Sequence, residues 1–118
     1  MHKKQTGFAR IFYATNYSLR GLKAAFFSEP AVRQEVAALS ILIPLALYLE
    51  VENTEKLWLI FSLVLILITE LLNTAIEKLA DHVTTDIHLL IGKAKDIGSA
   101  AVFVSILLAM LTWGVILI

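Results

Sequence analysis

Cysteine is absent from the 118 residues, which excludes disulfide frameworks, thiolate metal sites and cysteine nucleophiles together. Charge is scarce: 17% of residues are charged, against roughly 25% in an average soluble domain. Ten Lys and Arg balance ten Asp and Glu, so no net charge draws a polyanion, and nucleic acid is not expected as a partner. No repeat or low-complexity stretch is present. Nucleotide-binding motifs are missing as well. Gly92-Lys93 looks like the end of a P-loop, but Ile87 stands where the first glycine belongs and Ala94 where Ser or Thr belongs. There is no kinase catalytic loop or dinucleotide fingerprint. His82 and His88 are too poorly spaced for a helical zinc pair. What the chain has in excess is apolar surface, 58% hydrophobic residues and a mean hydropathy of +0.79. It reads as a small integral membrane protein, one membrane domain over 1–118.

Three apolar stretches organise the chain. Ile97–Ile118 carries no charge and meets the ~20 residues a spanning helix needs. A second stretch starts at Leu57 and is long enough only if Glu70 and Asn73 lie inside the membrane. The first, Val36–Leu49, is short unless Arg33, Gln34 and Glu35 sit in the interface at its start. The expected fold class is therefore an all-α membrane protein with spans at about 31–50, 57–77 and 96–118. Lys3, Lys4, Arg10, Arg20, Lys23 and Arg33 precede the first span, and Lys78, Lys93 and Lys95 lie between the second and third. Lys56 alone lies between the first and second. The positive-inside rule then puts the N-terminus in the cytoplasm and the C-terminus outside.

Residues about 6–27 form a fourth element. Phe8, Ile11, Phe12, Leu19, Leu22 and Phe26 share a helical arc from which Arg10, Tyr13, Tyr17 and Arg20 point away. This predicts an amphipathic helix lying on the cytoplasmic surface. Arg10, Arg20 and Lys23 interrupt any signal-peptide core, so it is not expected to be cleaved. Ser28-Glu29-Pro30 ends it, because the residue before proline avoids the α region and proline suits the first turn of a new helix.

The chemistry is concentrated in the second span. Glu70, Asn73, Glu77 and Asp81 fall within about 80° of one helix face. An ionisable residue inside a span costs at least ~2.5 kcal/mol on insertion scales and marks a functional site by default. With Leu57 at the outer boundary, Glu70 lies roughly 10 Å below the inner one and Glu77 about at it. The stripe thus descends from water to the depth of the hydroxyl of a small-headed lipid. Immersion suits Glu70 to accepting a proton near neutral pH. The plainer alternative is that Glu70 and Asn73 only join helices by hydrogen bonds. A second constellation, Lys95-Asp96-Ile97-Gly98-Ser99, opens the third span. It could be solvated charge at a span end, or it could complete a site with phosphate- and metal-binding groups. From the residues alone, an enzyme acting on a lipid and a small oligomeric ion- or proton-coupled carrier stand about equal.

The strings ELLNTAIE (Glu70–Glu77) and AKDIGSAAV (Ala94–Val102), with TGFARI, YSLRGLKAAF and EPAVRQE at the matching places, resemble the small prokaryotic diacylglycerol kinases over essentially the whole chain. The resemblance implies a homotrimeric, three-span enzyme of the bacterial inner membrane that uses MgATP to convert diacylglycerol to phosphatidic acid. An undecaprenol kinase branch shares the ELLNTAIE and AKD elements and is the nearest alternative. The N-terminal TGF and RQE elements look more like the diacylglycerol branch.

Carried over, the resemblance makes Glu70 the base for the lipid hydroxyl, with Asn73 orienting the reacting groups. Glu29 and Glu77 would hold Mg²⁺ on the ATP phosphates. Arg10, Tyr17, Lys95 and Asp96, with Asp86 and His88, would contact the nucleotide. Arg10, Ser18, Gln34, Glu35, Ser99 and Trp113 would line the lipid cleft beside Glu70. Ser28 and Pro30 depart from the family pattern on either side of Glu29, and the Asp86-Ile87-His88 loop matches it poorly. A metal held by two carboxylates, with Lys and Arg, suffices for phosphoryl transfer, which needs mostly positioning and charge neutralisation. Three spans cannot enclose both ATP and a lipid, so sites between subunits are expected on physical grounds too.

Overall fold

The computed structural model describes residues 6–83 and 89–118. Four helices follow one another: α1 (Gly7–Ser28), α2 (Pro30–Tyr48), α3 (Asn53–Val83) and α4 (Leu89–Leu117). The last three are long and apolar enough to cross a membrane, which leaves α1 as the preceding fourth element. The helices outrun the apolar stretches: α3 continues past Glu77 to Val83, and α4 begins at Leu89 rather than Asp96. Hydrogen bonding explains the difference. A helix ends where its backbone finds other partners, not where the hydrocarbon ends, so polar turns extend each span beyond its apolar core.

The junctions are built from side chains the sequence places close by. Glu29 is extended (φ −120°, ψ 113°), as the residue before proline must be, and Pro30 takes the first turn of α2, where no N–H is needed. The Arg33 guanidinium donates back to the carbonyls of Phe26 (2.9 Å) and Phe27 (3.1 Å), satisfying the end of α1. Between α2 and α3, the Glu52 N–H donates to Glu55 Oε1 at 3.1 Å, one half of a capping box. Lys56 Nζ donates to the Leu47 carbonyl at 2.9 Å and so closes the end of α2.

Helix α3 is the centre of the fold, packed on α4 and on α2, while α1 touches α2 and α3 only lightly. The face of α4 turned to α3 is small: Gly98, Ser105 and Ala109 are its buried residues. Apolar helices gain nothing from leaving water once both are in lipid, so their association rests on close packing and polar contacts. Thr69 Oγ1 and Ser105 Oγ lie 3.0 Å apart across the seam. Further out, Trp113 Nε1 donates to the Leu59 carbonyl at 3.3 Å. At the other end Lys95 meets Asp81. Positions thus fall along α3 as they rise along α4, the register of an antiparallel hairpin. Large side chains such as Phe103, Leu111 and Val115 point outward and are more than half exposed, a surface that hydrocarbon solvates and water does not.

The seam predicts a contrast. Ser105→Leu places a bulky chain against Thr69 and should lower stability in detergent by about 1–3 kcal/mol. Val104→Leu, on the exposed neighbouring position, should leave it near native. Thermal melts followed by helical circular dichroism would separate them, and equal melting temperatures would show that the seam does not hold the hairpin.

Candidate active site

Glu29, Glu35 and Glu77, from three places in the chain, come within electrostatic reach of Glu70. Glu70 on α3 feels Glu77, two turns along the same helical face, and Glu29 from the α1–α2 junction, while Glu35 on α2 feels Glu70. All four are half-buried. The stripe read from helical spacing therefore gains two partners from other elements. Each carboxylate so placed repels the next, and the cluster favours any cation that can sit among them. One is already present: Lys78 Nζ lies 3.5 Å from Glu29 Oε1.

Asn73 occupies the turn between Glu70 and Glu77 and is buried. Its Nδ2 donates to Glu77 Oε1 at 3.2 Å. Its Oδ1 is buried with no hydrogen-bond partner. Asn73 thus fixes the direction of Glu77. Lower on the stripe, Asp81 Oδ1 accepts from Lys95 Nζ at 2.5 Å, which holds the start of α4 against the end of α3. This pair gathers the second constellation onto the first. Asp96 and Ser99 sit exposed beside it on α4, and Gln34 is exposed on α2.

Arg10 and Trp113 are not brought to the cluster within one chain. Arg10 is exposed and stands about 22 Å along α1 from Ala25, the one buried position of that helix. Tyr17 is half-buried, stacked on Tyr13 at 6.4 Å between ring centroids, with the Arg20 guanidinium 5.9 Å from its ring. Trp113 lies roughly 21 Å along α4 from Ser99, near the opposite end of the span. There it lines an apolar groove of about 250 Å³ with Leu42, Leu63, Ile66 and Met110. Asp86 and His88 fall outside the described residues. Ser18 lines a different groove of about 490 Å³ between α1 and α3, with Gly21, Leu22, Ala25, Thr74 and Lys78.

Lys78 is the site residue that sequence reasoning does not single out, since by sequence it counts only as one more charge bearing on orientation. The signal that could find it is its position beside Glu77, as the one Lys or Arg within the acidic stretch from Glu70 to Asp81.

The donor set suits a hard divalent cation. Among the described residues no three His, Asp or Glu side chains form a preformed metal cage. Glu29 and Glu77 supply two hard oxygen donors, and Mg²⁺ usually takes one or two carboxylates and completes its shell with phosphate oxygens and water. That Glu29 already faces an ammonium group is in keeping with a cation at this carboxylate.

Comparison with known proteins bears on this site. A model of the prokaryotic diacylglycerol kinase family matches residues 16–117. A diacylglycerol kinase of Pseudomonas aeruginosa is 47% identical over 116 residues, 98% of this chain and 94% of the relative. The diacylglycerol kinase of Escherichia coli K12 is 43% identical over 117 residues, 99% of this chain and 96% of the relative. That of Haemophilus influenzae is 43% identical over 114 residues, 97% of each.

Lys78 and Glu29 form a partly exposed pair, whose contribution to stability should stay within about 1 kcal/mol. Lys78→Ala should therefore melt close to the native protein in detergent. A loss of several kcal/mol would instead make the pair a structural element of the α1–α2 junction.

Proposed function

This chain belongs to the prokaryotic diacylglycerol kinase family, and we propose that it phosphorylates the free hydroxyl of diacylglycerol at the cluster of Glu29, Glu35, Glu70 and Glu77, with MgATP as donor. The protein is a homotrimer in the bacterial inner membrane in this reading, with its N-terminus in the cytoplasm and sites shared between subunits. The observation that carries it is the graded placement of carboxylates on α3, from the polar end at Glu77 inward to Glu70 within the apolar span.

The depth of each carboxylate assigns its role. Glu70, immersed where a lipid hydroxyl lies, accepts the proton as the hydroxyl oxygen bonds to the γ-phosphorus and the bond to the ADP oxygen breaks. Glu77 and Glu29, nearer water, would hold the Mg²⁺. When bound, that ion offsets the charge of the triphosphate, which four carboxylates would otherwise repel. Asn73 keeps Glu77 aimed through its Nδ2 hydrogen bond. Lys95, Asp96, Arg10 and Tyr17, with Asp86 and His88, contact the nucleotide. Glu35, Gln34, Ser18, Ser99 and Trp113 border the lipid. Arg10 lies far from the cluster along its own helix, which agrees with α1 serving the site of a neighbouring subunit.

A phosphorylation assay in mixed micelles, offering diacylglycerol and undecaprenol separately with MgATP, tests the substrate assignment. Preference for diacylglycerol is expected. Preference for undecaprenol would transfer the chain to that branch, and ion flux across liposomes without ATP turnover would make it a carrier.

The two α3 carboxylates should fail differently. Glu70→Gln keeps shape and hydrogen-bonding reach but cannot take the proton, so turnover should fall about 10²–10⁴-fold with MgATP affinity near native. Glu77→Gln should instead shift Mg²⁺ activation upward by about tenfold or more. Mg²⁺ titrations of turnover and nucleotide affinity on assembled protein would distinguish them, and interchangeable profiles would undo the assignment by depth.

A further inference from the structure

Asn73 fits between two helices because α4 presents bare backbone to it. A β-carbon built on Gly98 collides with Asn73 Oδ1, whereas the next nearest atoms, Asn73 Cγ and Ile76 Cδ1, stand at an ordinary 3.5 Å. The oxygen therefore occupies the space a side chain on Gly98 would fill. Its orientation is fixed chemically. A carboxylate can only accept, so the amide nitrogen must face Glu77 and the oxygen must face away from it, toward α4. There it meets no N–H or O–H donor, only the glycine Cα–H direction, a weak donor that recurs where helices pack closely. A stronger donor at this point could rotate the amide and turn its nitrogen off Glu77.

We propose that Gly98 is a positioning residue of the active site: lacking a side chain, it leaves room for the Asn73 rotamer that aims Glu77. The inference rests on the reading of Asn73 and Glu77 as parts of the site. It extends the role of Gly98 from helix packing to the geometry of a carboxylate on the opposite helix. Gly21, Gly92 and Gly114 differ in this respect, since a β-carbon on any of them meets nothing within 4 Å.

A double-mutant cycle on the full-length protein in detergent micelles tests it, with turnover, Mg²⁺ activation and melting temperature measured for Gly98→Ala, Asn73→Ala and the pair. Gly98→Ala should lower turnover by about 10–100-fold, as loss of a group that orients a metal carboxylate does, and should raise the Mg²⁺ needed for half-activation. In the double variant the colliding oxygen is gone. Its turnover and Mg²⁺ requirement should equal those of Asn73→Ala alone, and its melting temperature should recover from that of Gly98→Ala toward that of Asn73→Ala. Gly92→Ala, in open space on the same helix, should stay near native in all three. If Gly98→Ala fails to assemble, recovery of assembly in the double variant supports the inference equally. Losses that multiply, or a double variant as unstable as Gly98→Ala, would overturn the inference alone. Native turnover in Asn73→Ala would overturn it together with the site reading on which it rests.

Discussion

The antiparallel contact between α3 and α4 is the constraint on which the rest depends. Within hydrocarbon, two apolar helices have no hydrophobic reason to meet, so the seam is made from small residues and a few polar contacts: Gly98 under Asn73, Ser105 against Thr69, Trp113 on the Leu59 carbonyl. These contacts fix rotation as well as distance. Turning α3 by one residue would carry Glu70, Asn73 and Glu77 about 100° around the axis and away from Glu29 and Glu35. Packing that holds the hairpin together is in this way the same packing that aims the carboxylates.

Charge is distributed in a graded way. Immersing carboxylates is unfavourable, and placing several together more so, which is why such clusters mark function more often than stability. Here only Glu70 lies deep in the apolar stretch. Glu77 is steadied by an amide, Glu29 by the Lys78 ammonium, and Asp81 by Lys95 at the polar end. Neutralising groups become more frequent toward water. The gradient fits the proposed division of labour, in which one carboxylate takes a proton and the others serve a metal and a phosphate chain.

How much of this the sequence disclosed depended on whether one helix or two had to be considered. Glu70, Asn73 and Glu77 could be grouped because helical periodicity alone decides which residues of a single helix share a face. The spans were legible for a similar reason, since hydrocarbon thickness sets a length that any uncharged stretch can be measured against. Contacts between elements were not legible. Lys78 sits one residue from Glu77 yet reaches Glu29, a pairing set by the turn at Pro30 and by the rotation of α2 on α3. In sequence Gly98 opens a run of small residues with Ser99, Ala100 and Ala101, and only the position of the Asn73 amide singles it out. The amphipathic pattern of α1 was legible too, but not its few contacts with α2 and α3, which depend on how separate helices pack.

Proline gives α2 a different standing from the two spans that follow. Pro44 lies inside the helix and removes an amide that would have bonded to the Ser40 carbonyl, and charged Arg33 and Glu35 flank polar Gln34 near the helix start. Each feature raises the free energy of entering a bilayer unaided, while α3 and α4 are longer and bring a seam of their own. Chains emerge from the ribosome N-terminal end first, so the earliest span is also the one with the weakest claim to the membrane. Of the three, α2 is the span that gains most from a neighbour already in the bilayer, here α3.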